Sequence, residues 1–174
     1  MSDFFEKVTS QTDPLTKLIA YIPGFGGYIE RQRRREADKM LREVVARRFE
    51  EYWSRASNLQ QELVSAGKIE LMDDIEKATL ALRTFIDKIS RAARGYSGVF
   101  DAAKINEAEL QAIYQFDLAF FTLGDQISSA LDNLEATLNE DAGLPAAIRH
   151  VTTLARLAVE TFERRSEVVS GGKE

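Results

Sequence analysis

Hydrophobic residues recur along most of this chain in alternating steps of three and four, the spacing that places them on one face of an α-helix. The first long stripe lies in a Pro- and Gly-free segment from about 28 to 66, at Val45, Phe49, Tyr52, Ala56, Leu59, Leu63 and Ala66. After Gly67 a second stripe continues as far as Arg94, at Leu71, Ile75, Ala78, Leu82, Phe85, Ile89 and Ala92. A third, between about 106 and 139, comprises Ile113, Phe116, Phe120, Leu123, Ile127, Leu131, Leu134 and Leu138. The last follows Gly143 and Pro145, at Ile148, Val151, Ala155, Ala158 and Phe162. The pattern predicts four long amphipathic helices with coiled-coil-like spacing.

A shorter helix is predicted before the first long one. Asp13 and Pro14 provide an N-cap residue and a Pro at the first helical position. The stripe that follows comprises Leu15, Leu18, Ile19 and Ile22. The sequence "PGFGGY" then predicts a turn, which leads directly into the first long helix.

These elements predict an all-α fold. Short connections force consecutive helices to run in opposite directions, so we expect an elongated up-and-down antiparallel four-helix bundle with a short extra N-terminal amphipathic helix. The 174 residues fit a single domain spanning 1–174, with residues 1–12 and 168–174 frayed.

In such a bundle the two Gly-aromatic loops, "PGFGGY" and "GYSGVFDAAK", lie at the same end. Aromatic and Arg residues, which are frequent anchors of protein interfaces, are concentrated there. The candidate partner-binding residues are Phe25, Tyr28, Arg31, Arg34, Arg35, Arg91, Arg94, Tyr96 and Phe100. The opposite end is acidic. An alternative interpretation is that the Arg residues only solvate the helix and pair with nearby acids.

The residues that usually carry catalytic or metal chemistry are scarce. There is no Cys and one His, His150, which lacks the carboxylate at i−3 that a di-iron bundle site requires. "GFGG" lacks the Lys and Ser/Thr of a phosphate-binding loop. Asp117 and Asp125 could in principle act as acid and base, but their positions are more typical of solvated helix faces. We therefore predict no catalytic residue, no metal site, no cofactor and no enzyme activity.

Charge and hydropathy bear on whether the protein binds nucleic acid or a membrane. The net charge of −5 argues against a general nucleic-acid binder. No apolar run approaches the length of a spanning helix, and the N-terminus does not resemble a secretory signal, so a cytoplasmic location is expected. The N-terminal stripe and the Arg cluster could contact a membrane, but only peripherally and weakly.

Two stretches, "PGFGGYIERQRRREADK" and "RGYSGVFDAAKI…YQFD", resemble an uncharacterised family of bacterial all-helical proteins over roughly residues 22–120. The resemblance implies that the two Gly-aromatic loops belong to one site. It implies no activity and no ligand.

The sequence thus predicts a non-catalytic interaction or adaptor module, which docks a protein partner or a second copy of itself through the end that carries the two loops. One alternative is a peripheral membrane-associated protein that uses the N-terminal helix and the Arg cluster. The other is an enzyme or ligand carrier with a pocket inside the bundle.

Overall fold

A computed structural model describes residues 14–30, 34–91 and 106–170. Within these ranges the chain forms six α-helices and no strand. They are α1 (Pro14–Tyr21), α2 (Phe25–Glu30), α3 (Arg34–Ser65), α4 (Met72–Arg91), α5 (Glu107–Thr137) and α6 (Leu144–Val169), with a 3₁₀ turn at Ile69–Leu71. The prediction of an all-α fold is confirmed.

The four long helices pack around one continuous hydrophobic core. Helix α3 packs against α4 and α5, and α6 packs against α4 and α5. Most residues of the predicted stripes are buried, including Phe49, Phe85, Ile127 and Val151, whereas Phe116 is half-buried. The packing is compatible with a helical bundle.

Helix directions follow from the residues that meet between helices. Phe49 of α3 lies against Phe85 of α4, with ring centroids 4.1 Å apart, and Trp53 lies under the guanidinium of Arg83. Because one number rises as the other falls, α3 and α4 are antiparallel. Phe120 and Phe162, 6.4 Å apart, lie just beyond the pair Asp117 and Arg165, so α5 and α6 are antiparallel as well.

The pairing between α3 and α5 is parallel. Arg48 contacts Asp125, and seven residues later Arg55 donates to Asp132, at 2.5 Å. The pairs joined by short turns, α3–α4 and α5–α6, are therefore antiparallel as expected. Helices α3 and α5, which no short turn joins, are parallel.

The turn predicted at "PGFGGY" is shorter than expected. Residues Phe25–Glu30 form helix α2, and helix α3 is described from Arg34. Gly24 has a φ of +83°, a conformation that glycine adopts without strain, and it ends the turn after α1. At the other end of the chain α6 continues through Val169, whose side chain is buried, so this helix extends two residues into the segment predicted to fray.

Helix α1 packs on the bundle, mainly against α5. Leu15, Leu18 and Ile22 are buried, and the ring of Tyr21 stacks on Phe121 with centroids 4.6 Å apart. Three of the four residues of the N-terminal apolar stripe are therefore buried within the molecule, and Ile19 is exposed. The covered surface belongs mainly to α5.

Gly124 lies inside α5, where glycine normally weakens a helix. A Cβ atom at this position would come within 3.3 Å of the Tyr52 side chain of α3. The glycine therefore permits the close approach of α3 and α5 at the middle of their contact.

None of the helices in the described ranges is both long enough and apolar enough to cross a membrane.

Candidate functional site

Four buried charged residues form the most unusual feature of the core. We call Asp38 and Arg42 of α3, Asp117 of α5 and Arg165 of α6 the charged cluster. Their exposed fractions are 7%, 7%, 3% and 1%, respectively. Charged side chains are seldom buried this completely unless they are paired.

Hydrogen bonds link all four side chains. Arg165 donates from Nε to Asp117 Oδ1 at 2.5 Å, and its Nη2 donates to Asp38 Oδ1. The second oxygen of Asp38 accepts from Nε of Arg42 at 2.8 Å. Two carboxylates and two guanidinium groups make the cluster neutral when all four are ionised. The bonds join three helices, so they fix the relative positions of α3, α5 and α6.

The cluster lies near one end of the bundle, beyond the last turn of α4. Phe85 of α4 meets Phe49 of α3, and α4 ends six residues later, which places Arg91 level with about residue 43 of α3. Asp38 is about 8 Å further along, at 1.5 Å per residue. We call this the cluster end. Helix α2 packs on α3 here, and its Phe25 side chain is buried.

A small cavity adjoins the cluster. Its volume is about 10 Å³, and it is lined by the carboxylates of Asp38 and Asp117 together with Phe25, Tyr114 and other side chains of α2, α3 and α5. This is about the minimum space that one water molecule requires. The cavity is too small for an organic substrate.

Burial and charge act in opposite directions on the pKa values of the cluster. Burial raises the pKa of Asp117 from 3.8 to about 6, against the opposing effect of the Arg165 guanidinium. For Arg165, burial favours loss of the proton, but the carboxylates of Asp117 and Asp38 reverse this effect and raise the pKa above its ordinary value. Arg165 therefore stays charged, while Asp117 can change its charge around pH 6.

Arg165 also retains an unused donor. Its Nη1 atom is buried and has no hydrogen-bond partner among the described residues. An unsatisfied buried donor costs roughly 1–3 kcal/mol. The cluster is thus not optimised for stability alone.

The residues predicted to bind a partner have different positions. Phe25 is buried, so its ring is not available on the surface, and Tyr28 is half-buried against the core. Arg35, in the first turn of α3, and Arg91, at the end of α4, are exposed at the cluster end. Arg34 begins α3, and its side chain is not described; Arg31, Arg94, Tyr96 and Phe100 lie outside the described residues.

The prediction that Asp117 is a solvated surface residue is wrong, because this carboxylate is buried and bonded to Arg165. Asp125, in contrast, lies at the surface, where it accepts a hydrogen bond from the Tyr21 hydroxyl at 2.8 Å and contacts Arg48. His150 is exposed on α6.

The sequence contained a signal for the cluster that the motif analysis missed. Arg165 continues the stripe of α6, three residues after Phe162, and Asp117 lies four residues after Ile113 and three before Phe120. Asp38 lies seven residues before Val45. Charged residues thus occupy inward-facing positions on three helices, each near the same end of the bundle.

No protein-family model, curated protein or solved structure matches this chain. The described residues also contain no group of three or more His, Cys, Asp or Glu side chains that could hold a metal ion.

Proposed function

We propose that this protein is a non-catalytic interaction module that docks a partner protein at its cluster end. The observation that carries the proposal is the charged cluster itself. Replacing a buried ion-pair network with well-packed aliphatic residues is often neutral or stabilising. The value of such a network lies in fixing one arrangement of the helices that it joins. A preorganised surface binds more tightly because less order must be imposed on binding.

The surface above the cluster carries charges of both signs. Arg35 and Arg91 are exposed there, and so are Glu36 and Glu107, while Tyr28 of α2 is half-buried. Arg and Tyr are enriched among the residues that dominate binding energies. The loop residues Arg31, Arg94, Tyr96 and Phe100 belong to the same proposed site by sequence.

The opposite end has a different charge. We call the end formed by the turns at 66–71 and 138–143 the turn end. It carries Glu62, Glu70, Asp73 and Glu140, all exposed. An acidic partner would be repelled there, which favours the cluster end as its docking surface.

The two alternative functions receive less support from the geometry. Membrane binding through α1 would require its apolar side chains, Leu15, Leu18 and Ile22, to leave their buried positions on the bundle. A ligand carrier or enzyme would need an internal pocket, and the cavity beside the cluster has room for about one water molecule.

A quantitative pull-down from native lysate tests the proposal. The full-length protein is compared with the variant Arg35→Ala/Arg91→Ala and with a matched control at the turn end, Glu62→Ala/Glu70→Ala. We expect the first variant to lose a specific protein that the wild type and the control retain, and the purified partner to bind more weakly as salt is raised. Equal recovery of all proteins by the three forms would overturn the proposal.

A second comparison tests the role of the cluster. The variant Asp38→Leu/Arg42→Leu/Asp117→Leu/Arg165→Met replaces the network by aliphatic side chains and leaves Arg35 and Arg91 in place. We expect it to fold and to bind the captured partner at least tenfold more weakly, because the end is no longer held in one arrangement. Unchanged affinity in a folded variant would show that the cluster does not serve binding. Co-sedimentation of the wild type with anionic vesicles would favour the membrane alternative instead.

A further inference from the structure

Helices α4 and α6 leave an open groove on their outer face. The groove has a volume of about 350 Å³, and its apolar lining includes Leu80 and Ala81 of α4 and Val159 of α6. Leu80 is 65% exposed, an unusual position for a leucine. The apolar surface of this face therefore lacks a cover within the chain.

Several charged residues along the same two helices have partners. Lys77 pairs with Asp74 at 3.1 Å, and Arg83 pairs with Asp87 at 3.4 Å. Lys88 of α4 reaches Glu163 of α6 at 3.0 Å.

Arg156 and Glu160 differ from Lys77, which also lines the groove but has a partner. Both are exposed, both line the groove, and neither forms an ion pair with any described residue. They lie one helical turn apart on α6, with opposite charges on the two sides of Val159. Consider a second copy related to the first by a two-fold axis that lies in the contact plane, perpendicular to the helices. Its Glu160 would lie opposite Arg156 of the first copy, and its Arg156 opposite Glu160.

We propose that this face binds a second copy of the chain in an antiparallel dimer. Arg156 of each copy meets Glu160 of the other, and Leu80 of each copy enters the other's groove. A two-fold contact uses the same patch on both molecules, so one pair of complementary charges is satisfied twice. The charge pattern thus favours a second copy over a different protein.

The expected dimer is weak. Helix α4 has 20 residues and is about 30 Å long, and two adjacent helices are about 20 Å wide, so each copy could cover at most about 600 Å². The total of about 1,200 Å² lies at the lower limit for specific interfaces. We therefore expect an association that depends on concentration. The antiparallel arrangement leaves both cluster ends exposed and points them in opposite directions.

A charge-swap series tests the dimer by sedimentation equilibrium on the full-length protein. Arg156→Glu and Glu160→Arg each place like charges opposite one another and are expected to weaken dimerisation at least tenfold. The double variant Arg156→Glu/Glu160→Arg restores both pairs and is expected to recover the wild-type association constant within about threefold. An equimolar mixture of the two single variants is expected to form heterodimers, since each charge then meets its opposite.

Circular dichroism of every variant establishes that the fold is retained. Leu80→Lys provides a second disruption that leaves both charges in place. A wild type that stays monomeric up to millimolar concentration would overturn the proposal, and so would a dimer that none of these substitutions affects. Failure of this test would leave the docking function of the cluster end untouched, because the two surfaces share no residue.

Discussion

The interior of the bundle is filled with different kinds of side chain at its two ends. At the turn end the core is aliphatic; its buried residues include Leu59, Leu63, Ile75, Leu131, Leu134, Leu144 and Ile148. At the cluster end Asp38, Asp117 and Arg165 occupy inward-facing positions on the same three helices that elsewhere carry Leu, Ile and Val. Three helices, α3, α5 and α6, contribute to both cores.

This difference between the two ends shows that the stability of a core and the definition of one packing geometry can depend on different side chains. Aliphatic side chains stabilise the fold but tolerate several packing arrangements, since dispersion contacts have little directionality. Ion pairs with defined geometry contribute little net stability, yet they penalise every arrangement that separates the partners. The turn end therefore supplies stability, and the cluster end supplies a defined geometry where we place the docking surface.

The largest effect on stability is expected from removing one charged partner of the cluster while the others remain. Arg165→Met removes the partner of Asp117 and one of the two partners of Asp38, so buried carboxylates lose their compensation. We expect a loss of about 3–5 kcal/mol in the free energy of unfolding, measured by urea denaturation at pH 7.

The neighbouring residue provides a matched control. Arg164 is exposed, and Arg164→Met makes the same chemical change without affecting the cluster. We expect it to change stability by less than about 0.5 kcal/mol. Equal effects of the two substitutions would mean that the cluster is no more sensitive than the surface.

The second prediction concerns pH. Asp117 has a folded-state pKa of about 6, above its ordinary value of 3.8. The folded protein therefore binds this proton more tightly than the unfolded chain does. Proton binding at Asp117 therefore adds to the free energy of unfolding. This contribution is complete below about pH 4 and is lost as the pH rises through about 6.

Asp117→Asn removes this titration and retains an oxygen that can accept from Arg165. We expect the stability of the variant relative to the wild type to rise by about 2 kcal/mol between pH 4.5 and pH 7.5. Urea denaturation at several pH values measures this difference, with exposed Asp73→Asn as the control at the turn end. A relative stability that falls with pH would show that the ion pair with Arg165 outweighs the cost of burial.

The fold was accessible from the sequence because helix periodicity is a local property. Stripes of apolar residues identified the long helices, and Gly67 and Gly143 marked turns where the chain does adopt positive φ. The parallel contact between α3 and α5 was not accessible, since it depends on which helices meet across the bundle. The short loops constrain only consecutive helices.

The charged cluster was missed for a different reason. Asp and Arg are usually surface residues, so a motif search assigns each of them to a solvated face. Only the combination of three helices reveals that Asp38, Asp117 and Arg165 occupy inward positions at one level. Such a coincidence requires the topology as well as the periodicity. The burial of Phe25 was not predicted either, because the segment read as a turn, "PGFGGY", is helical from Phe25 onward.

The smallest expected effect concerns a charged contact at the turn end. Lys68 is the partly buried cation there: its side chain is 15% exposed, and its Nζ donates to the backbone carbonyl of Leu138 at 2.9 Å. The bond ties the turn at 66–71 to the turn at 138–143. Its ion pair with Asp141, at 3.1 Å, adds little because the Asp141 side chain is 98% exposed.

We expect Lys68→Met to reduce the free energy of unfolding by about 1 kcal/mol, the usual value of one hydrogen bond, because the Leu138 carbonyl loses its donor. Lys77→Met is the matched control, since Lys77 is 56% exposed and pairs only with Asp74 within its own helix. We expect this second change to be close to neutral. A loss of 3 kcal/mol or more at Lys68 would show that the turn end also depends on a charged contact, and the difference between the two ends would then be one of degree.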